Sequence, residues 1–264
     1  GLCYGSENTK ELLYTSAEER GAVGVQIFGN DPAFMRRAAE SEELVPFETV
    51  DINMGCPVPK IFKNGEGSAL METPELAEKI VGEVKKSGKI VTVKCRIGVT
   101  REKICAVEFC KRLAGAGASA ITVHGRTRNE MYTGEPDYGV IAAVKNAVDV
   151  PVIANGGIFS VEDAENMMNK TGADGVAIAR AALYDPQIFC DFSGRERKPL
   201  YDVVKRQTEE TRTLFGERFA TVFMRKMTAF YLRGTRNAAA YKARLFSCKN
   251  SEEVISLARE IFAR

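Results

Sequence analysis

The chain has 264 residues, 45% apolar and 27% charged, with a formal net charge of +2. That size suits one large domain or a large and a small one, and every apolar run falls short of the ~18 residues a membrane span needs. Seven cysteines, an odd number without paired spacing, point to reduced thiols in the cytoplasm, with no secretory leader at the front. His124 is the only histidine, which excludes a two-histidine metal site.

In chain order, a helical stretch "TKELLYTSAEER" (9–20) precedes a strand-like run "VGVQIFG" (23–29). "DPAFMRRAAE" then opens on Asp31 and Pro32, an N-cap followed by proline at the first helical position. The next strand, "TVDINMG" (49–55), ends at Cys56 and Pro57, and a loop with Lys60 and Lys63 follows. Thr73 and Pro74 start the helix "TPELAEKIVGEV", and the strand "IVTVKCRIG" (90–98) comes after it. Strands "AITVHG" (120–125), "PVIANGG" (151–157) and "GVAIARAA" (175–182) complete the series, with a helix "SVEDAENMMNK" between the last two.

Strands apolar on both faces and alternating with helices predict a parallel sheet covered by helices. Each strand leads into polar or glycine-rich sequence: Gln26, Cys56, Lys94 and Arg96, His124 and Arg126, Asn155 to Gly157, Arg180. Functional groups at many strand ends suit an α/β fold of the (β/α)8 TIM-barrel kind, whereas a doubly wound sheet would gather them at one switch point. "GAGASA" (115–120) precedes a strand and does not follow one, so it is not a dinucleotide fingerprint. Six strands are two short of a barrel, and the expected plan lacks a strand–helix–strand at its N-terminal side.

Beyond about residue 199 the strands stop. "YDVVKRQTEETRTLFGER", "FATVFMRKMTAFYLRG", "AAAYKARLF" and "SEEVISLAREIF" have helical period and predict a small all-α bundle. Phe219, Val222, Phe223, Met227, Phe230 and Tyr231 are expected to form one apolar stripe. Residues 195–264 hold sixteen Lys/Arg against eight Asp/Glu, a surplus of +8, while residues 1–194 carry a net −6. A basic tail on an acidic body suits a polyanionic partner, a solvated helical face being the alternative. The expected division is a barrel domain over 1–194 and a helical domain over 195–264.

"DINMGCPVPK", "VTVKCRIG", "ITVHGRTR…YTGEPDY", "PVIANGGI", "GVAIARAA…PQIF" and "FMRKMTAFYLRG", in that order, resemble the tRNA-dihydrouridine synthases of bacterial type. The resemblance implies reduction of a uridine in tRNA to 5,6-dihydrouridine by FMN that NADPH has reduced. Hydride goes to C6 of uracil, and a thiol donates the proton to C5. A thiol ordinarily titrates near ~8.5 and keeps its proton at neutral pH, so it can serve as acid; the resemblance makes Cys56 that acid.

By the same resemblance Gln26, Lys94 and His124 contact the flavin ring, Lys94 lending a positive charge to the reduced anion. Asn155, Gly156 and Gly157, with Ala179 and Arg180, form the cofactor's phosphate cup. Ala179 stands where a glycine is common and Gly157 where an acid often stands, while the "PMAG"-like turn of the family's first strand is absent. Asn53 is expected near the substrate base, and Arg96 and Arg126 as contacts for tRNA phosphates, with solvated strand ends as their alternative. The implied partner is tRNA, with no DNA, membrane or metal, and the chain is expected to be a cytoplasmic monomer. Two other readings stay open: a tRNA-binding remnant without catalysis, and a flavin-barrel reductase of a small molecule.

Overall fold

A computed structural model describes residues 13–16, 19 and 21–263. Most of the helix expected over 9–20 lies outside the described residues, as does Cys3. The chain then alternates: β1 (Val25–Ile27), α1 (Pro32–Ala39), β2 (Thr49–Met54), α2 (Pro59–Lys63), α3 (Pro74–Lys85), β3 (Ile90–Arg96), α4 (Ala106–Gly115), β4 (Ala120–His124), α5 (Tyr138–Lys145), β5 (Val152–Asn155), α6 (Val161–Thr171) and β6 (Gly175–Ala177). All six expected strands are present, in one sheet of order β1-β2-β3-β4-β5-β6 with every neighbouring pair parallel. Sequential parallel strands with helical crossovers are the plan of a (β/α)8 barrel, six of its strands lying among the described residues.

Local chemistry sets the helix starts. Asp31 caps α1, its carboxylate accepting from the Phe34 N–H at 2.9 Å. Thr73 stands at the corresponding place before α3 without a side-chain cap bond, so Pro74 at the first position marks that start alone.

One expectation about the sheet needs correction. The strands are not apolar on both faces; they alternate. Val50, Ile52 and Met54 of β2, Val91, Val93 and Cys95 of β3, and Ile121 and Val123 of β4 are buried. α3 packs on β3, and α4 packs on β3 and β4. Full burial of each such side chain is worth roughly 1.5–3 kcal/mol, and that face supplies the core. The opposite face carries Gln26, Asp51, Asn53, Thr92, Lys94 and Thr122, because successive side chains in a strand point to opposite sides. Register then sets these groups in rows: Gln26 beside Asp51 beside Thr92, and Asn53 beside Lys94 beside Thr122.

The described residues divide into two compact units, the first reaching Ile158 and including Glu162–Ala177, the second made of Phe159–Val161 and Ile178 onward. The second unit is helical: α7 (Arg180–Tyr184), α8 (Ile188–Ser193), α9 (Leu200–Phe215), α10 (Glu217–Tyr231), α11 (Ala238–Ser247) and α12 (Ser251–Phe262). Its core joins Val204, Met224, Leu232, Leu245, Val254 and Ala258. The face that α10 buries is Ala220, Thr221, Met224, Thr228, Ala229 and Tyr231. The expected apolar stripe is therefore turned partly outward, with Phe219 44% and Val222 60% exposed. Met224 and Tyr231 are buried together with the small residues, and the exposed Phe219 stacks at 5.7 Å on Phe223, which itself packs against the core.

Candidate active site

The turn after β2 presents Cys56, and both sides of its backbone are held. Asn53 Oδ1 accepts the N–H groups of Gly55 at 3.1 Å and of Cys56 at 2.9 Å. The Cys56 carbonyl accepts from the Ser68 N–H at 3.2 Å and from Ser68 Oγ at 2.8 Å. Pro57 confines Cys56 to extended backbone. Gly67 closes the turn at φ +60°, where a Cβ would come within 2.9 Å of the Cys56 Cβ. These contacts fix the main chain and leave the half-buried thiol uncommitted.

A polar chain runs away from this turn across the sheet. Asn53 Nδ2 donates to Gln26 Oε1 at 2.8 Å, and Gln26 Nε2 donates to Asp51 Oδ2 at 2.6 Å. Thr92 Oγ1 donates to the other oxygen of Asp51 at 2.6 Å. Asp51 and Thr92 were not singled out from the sequence. The signal was there: in "TVDINM" polar and apolar residues strictly alternate, so Asp51 shares a face with Asn53.

Lys94 is the Cα register partner of Asn53. Its ammonium is half-buried and makes no hydrogen bond or ion pair among the described residues. Burial pushes it below the ordinary lysine range, while Asp51 pulls the other way. A desolvated cation with no ion pair among the described residues is a place for an anionic group.

Arg96 and Arg126 lie elsewhere than expected. They are 2% and 4% exposed, so neither is a solvated strand end or an open phosphate contact. Arg96 Nη1 donates to the carbonyls of Thr127 at 2.8 Å and Met131 at 2.9 Å. Arg126 Nε and Nη2 donate to the carbonyls of Thr133 and Gly134. Both guanidiniums anchor the segment 127–134, in which Met131 takes φ +51°, unusual for a residue with a side chain. Burial also lowers Arg96 from its ordinary value, with Arg126 adding to the drop.

His124 is buried, and its Nε2 accepts from Arg126 Nη1 at 3.3 Å, since a guanidinium can only donate. Gly156, at φ +115°, lies against this ring: a Cβ there would be 2.7 Å from His124 Cδ2. Asn155 Nδ2 donates to the Ala177 carbonyl at 2.7 Å, tying β5 to β6. The first unit thus gathers Gln26, Asn53, Cys56, Lys94, His124 and Asn155–Gly157 at the C-terminal ends of its strands. Ala179 and Arg180 fall in the second unit, at the start of α7, where Arg180 stacks 5.7 Å over the Phe159 ring.

Basic groups differ in how they are used. Lys60 and Lys63 on α2 are exposed and make no ion pair among the described residues, and Arg128 stacks 4.0 Å over Phe62 of the same helix. In the helical unit Arg212 pairs with Glu252 at 2.6 Å and Arg244 with Glu260 at 2.5 Å. Arg218 and Lys226 are exposed and make no ion pair among the described residues.

A parallel barrel-type sheet thus carries a thiol just after one strand and a lysine on the next. The model of one family, described as "Dihydrouridine synthase (Dus)", matches residues 3–264. "Probable tRNA-dihydrouridine synthase 1" of Synechocystis sp. is 40% identical over 242 residues, 88% of this chain and 68% of that protein. "tRNA-dihydrouridine synthase B" of Pseudomonas aeruginosa is 35% identical over 263 residues, 96% of this chain and 79% of its own. Among solved structures, morphinone reductase in complex with tetrahydroNAD is 15% identical, at a TM-score of 0.45 over 70% of this chain and 52% of its own. The chain belongs to the dihydrouridine synthase family.

Proposed function

We propose that this chain reduces a uridine of tRNA to 5,6-dihydrouridine with FMN, using NADPH as reductant. One observation carries the reading: Lys94 is paired in register with Asn53, and Asn53 holds the backbone of Cys56. A cation for an anionic ring and a thiol for a proton therefore arise from adjoining strand ends. Family membership and the names of the relatives support tRNA as the substrate.

The residues fit FMN in one respect. Lys94 makes no ion pair among the described residues, which leaves a positive charge for the anionic ring. Gln26, Lys94 and His124 would hold the ring, and Asn155, Gly156 and Gly157 the phosphate. When bound and reduced, FMN supplies the hydride that goes to C6 of uracil.

The chain's own part is to position and to move a proton. Cys56 gives its thiol proton to C5, and the clasp of Asn53 and Ser68 on its main chain holds the sulfur toward the base. The uridine leaves its stack to reach the site, at a cost of a few kcal/mol. Exposed Arg218 and Lys226, with Lys60 and Lys63, grip phosphates without reading sequence. The working form is a cytoplasmic monomer, with a barrel domain over 1–194 and a tRNA-binding helical domain over 195–264.

The test is incubation of the FMN-loaded chain and its Cys56→Ala variant with unmodified tRNA and NADPH, with dihydrouridine measured by mass spectrometry. Product is expected from the parent, at least ~10²-fold less from the variant, with equal flavin absorbance in both. A fully flavin-loaded parent that makes no dihydrouridine would overturn the reading.

A further inference from the structure

We propose that Asp51 is a positioning residue that sets the polarity of the whole polar chain and, through it, the seat of Cys56. Asp51 is the only carboxylate in the six strands. It touches neither Cys56 nor its turn. Its two oxygens take two different donors, Gln26 Nε2 at 2.6 Å and Thr92 Oγ1 at 2.6 Å.

A carboxylate only accepts, so both neighbours must present hydrogens to it. That requirement fixes an otherwise ambiguous amide. Gln26 must turn its Nε2 toward Asp51, which sends its Oε1 toward Asn53. Asn53 must then answer with Nδ2, found at 2.8 Å, and its Oδ1 is left facing the other way. That oxygen is the acceptor for the Gly55 and Cys56 N–H groups. Reversing any one amide in the chain would set donor against donor at the next contact, or leave a half-buried group unpaired. Fixed in this sense, Gln26 also keeps one N–H uncommitted for a ligand.

The catalytic consequence of this seat rests on the function proposed above, but the seat itself does not. The test therefore reads the turn directly, by hydrogen exchange of the Gly55 and Cys56 amides in the full chain. Asp51→Asn introduces a carboxamide: with its NH2 toward Gln26 it sets donor against donor, and with its NH2 toward the Thr92 hydroxyl, which can accept, it meets Gln26 with a neutral oxygen in place of a charged one. Exchange at both amides should quicken by about tenfold, the equivalent of one net hydrogen bond.

Gln26→Leu, on an exposed strand position, should produce the same acceleration, and Asp51→Asn should add nothing to it. Asp51→Asn combined with Gln26→Glu restores donors and acceptors in the opposite sense, so protection should return. A group with a merely local packing role would give additive effects and no rescue. Unchanged exchange in Asp51→Asn, or an additive double variant, overturns the proposal. Should Asp51→Asn not fold, the near-isosteric Thr92→Val removes one donor to the carboxylate. About threefold faster exchange at Cys56 then supports the role, and no change overturns it. Exchange behaving as described in a chain that makes no dihydrouridine would count against the proposed function and not against Asp51.

Discussion

Arg96 donates from Nε to the Gly55 carbonyl at 2.8 Å, so a guanidinium on β3 holds the turn that carries β2 into Cys56. The same side chain reaches two carbonyls of the segment after β4. Asn53, Ser68 and Arg96 thus all hold the backbone of one short turn, and the Cys56 thiol is placed by its main chain.

Arg96→Lys should be severely destabilising. One ammonium cannot span three carbonyls in different directions. Charge-assisted bonds contribute ~1.5–3 kcal/mol each, and a buried acceptor left unpaired costs ~1–3 kcal/mol. A loss of at least ~3 kcal/mol in urea unfolding is expected. The salt dependence of tRNA binding should not change, because this cation does not meet phosphates; a shallower slope would restore it as a phosphate contact.

Lys94→Met should stabilise the fold while abolishing turnover. Burial lowers the Lys94 pKa in the folded state, so the unfolded chain binds that proton more tightly. Stability contributed by this group therefore rises with pH between the folded value and the ordinary ~10.4, and the penalty is in full force below the folded value. The variant's advantage, about 0.5–2 kcal/mol as for other functional sites that trade stability for activity, should shrink as the pH approaches 10.4. Urea midpoints at pH 7 and pH 10 check this. An advantage equal at both would show that the charge is not what costs.

Gly156→Ala should cost about 1–3 kcal/mol, the usual range for a side chain forced into a disfavoured backbone region. Here φ is +115° and the new methyl would meet the His124 ring at 2.7 Å. A lowered denaturant midpoint with an unchanged slope is the expected signature.

Arg218→Ala with Lys226→Ala should weaken tRNA binding evenly across sequences and lower the log–log salt slope by about two. The measurement is a titration at several salt concentrations. An unaltered slope would assign these charges to a solvated face.

Periodicity located all six strands and the four helices beyond residue 199, because alternating apolar blocks and capping residues are local signals; it ran the last strand through 182, where α7 begins at Arg180, and gave neither α7 nor α8. "NMGCP", "TVKCR" and "ANGG" likewise located the strand-end groups. Two kinds of feature were not readable. Arg96 and Arg126 looked like surface charges, since nothing local reveals that carbonyls 41 and 8 residues away in sequence will enclose them. The outward turn of Phe219 and Val222 was missed for a related reason: the stripe follows hydrophobicity alone, whereas the face that α10 buries also takes Ala220, Thr221, Thr228 and Ala229. Asp51 lay between these cases, visible as an alternation but dependent on pairing for its partners.

The segment 127–134 can also be seen as a solvent. Arg96 and Arg126 are cations taken out of water, within Coulombic reach of each other, and carbonyl oxygens and a histidine nitrogen accept from them. The carbonyls of Thr127, Met131, Thr133 and Gly134 stand in for a hydration shell, and the left-handed turn at Met131 lies where one of those oxygens is delivered. Such a shell is ordered by the ions it surrounds. Peeling the segment away would strand two guanidiniums in a poor dielectric, and neutralising either would release the carbonyls that shape it. Charge and loop therefore fold as one unit, like a salt with its coordination sphere, and the field of two positive ions stays beside the site although neither ion is open to contact.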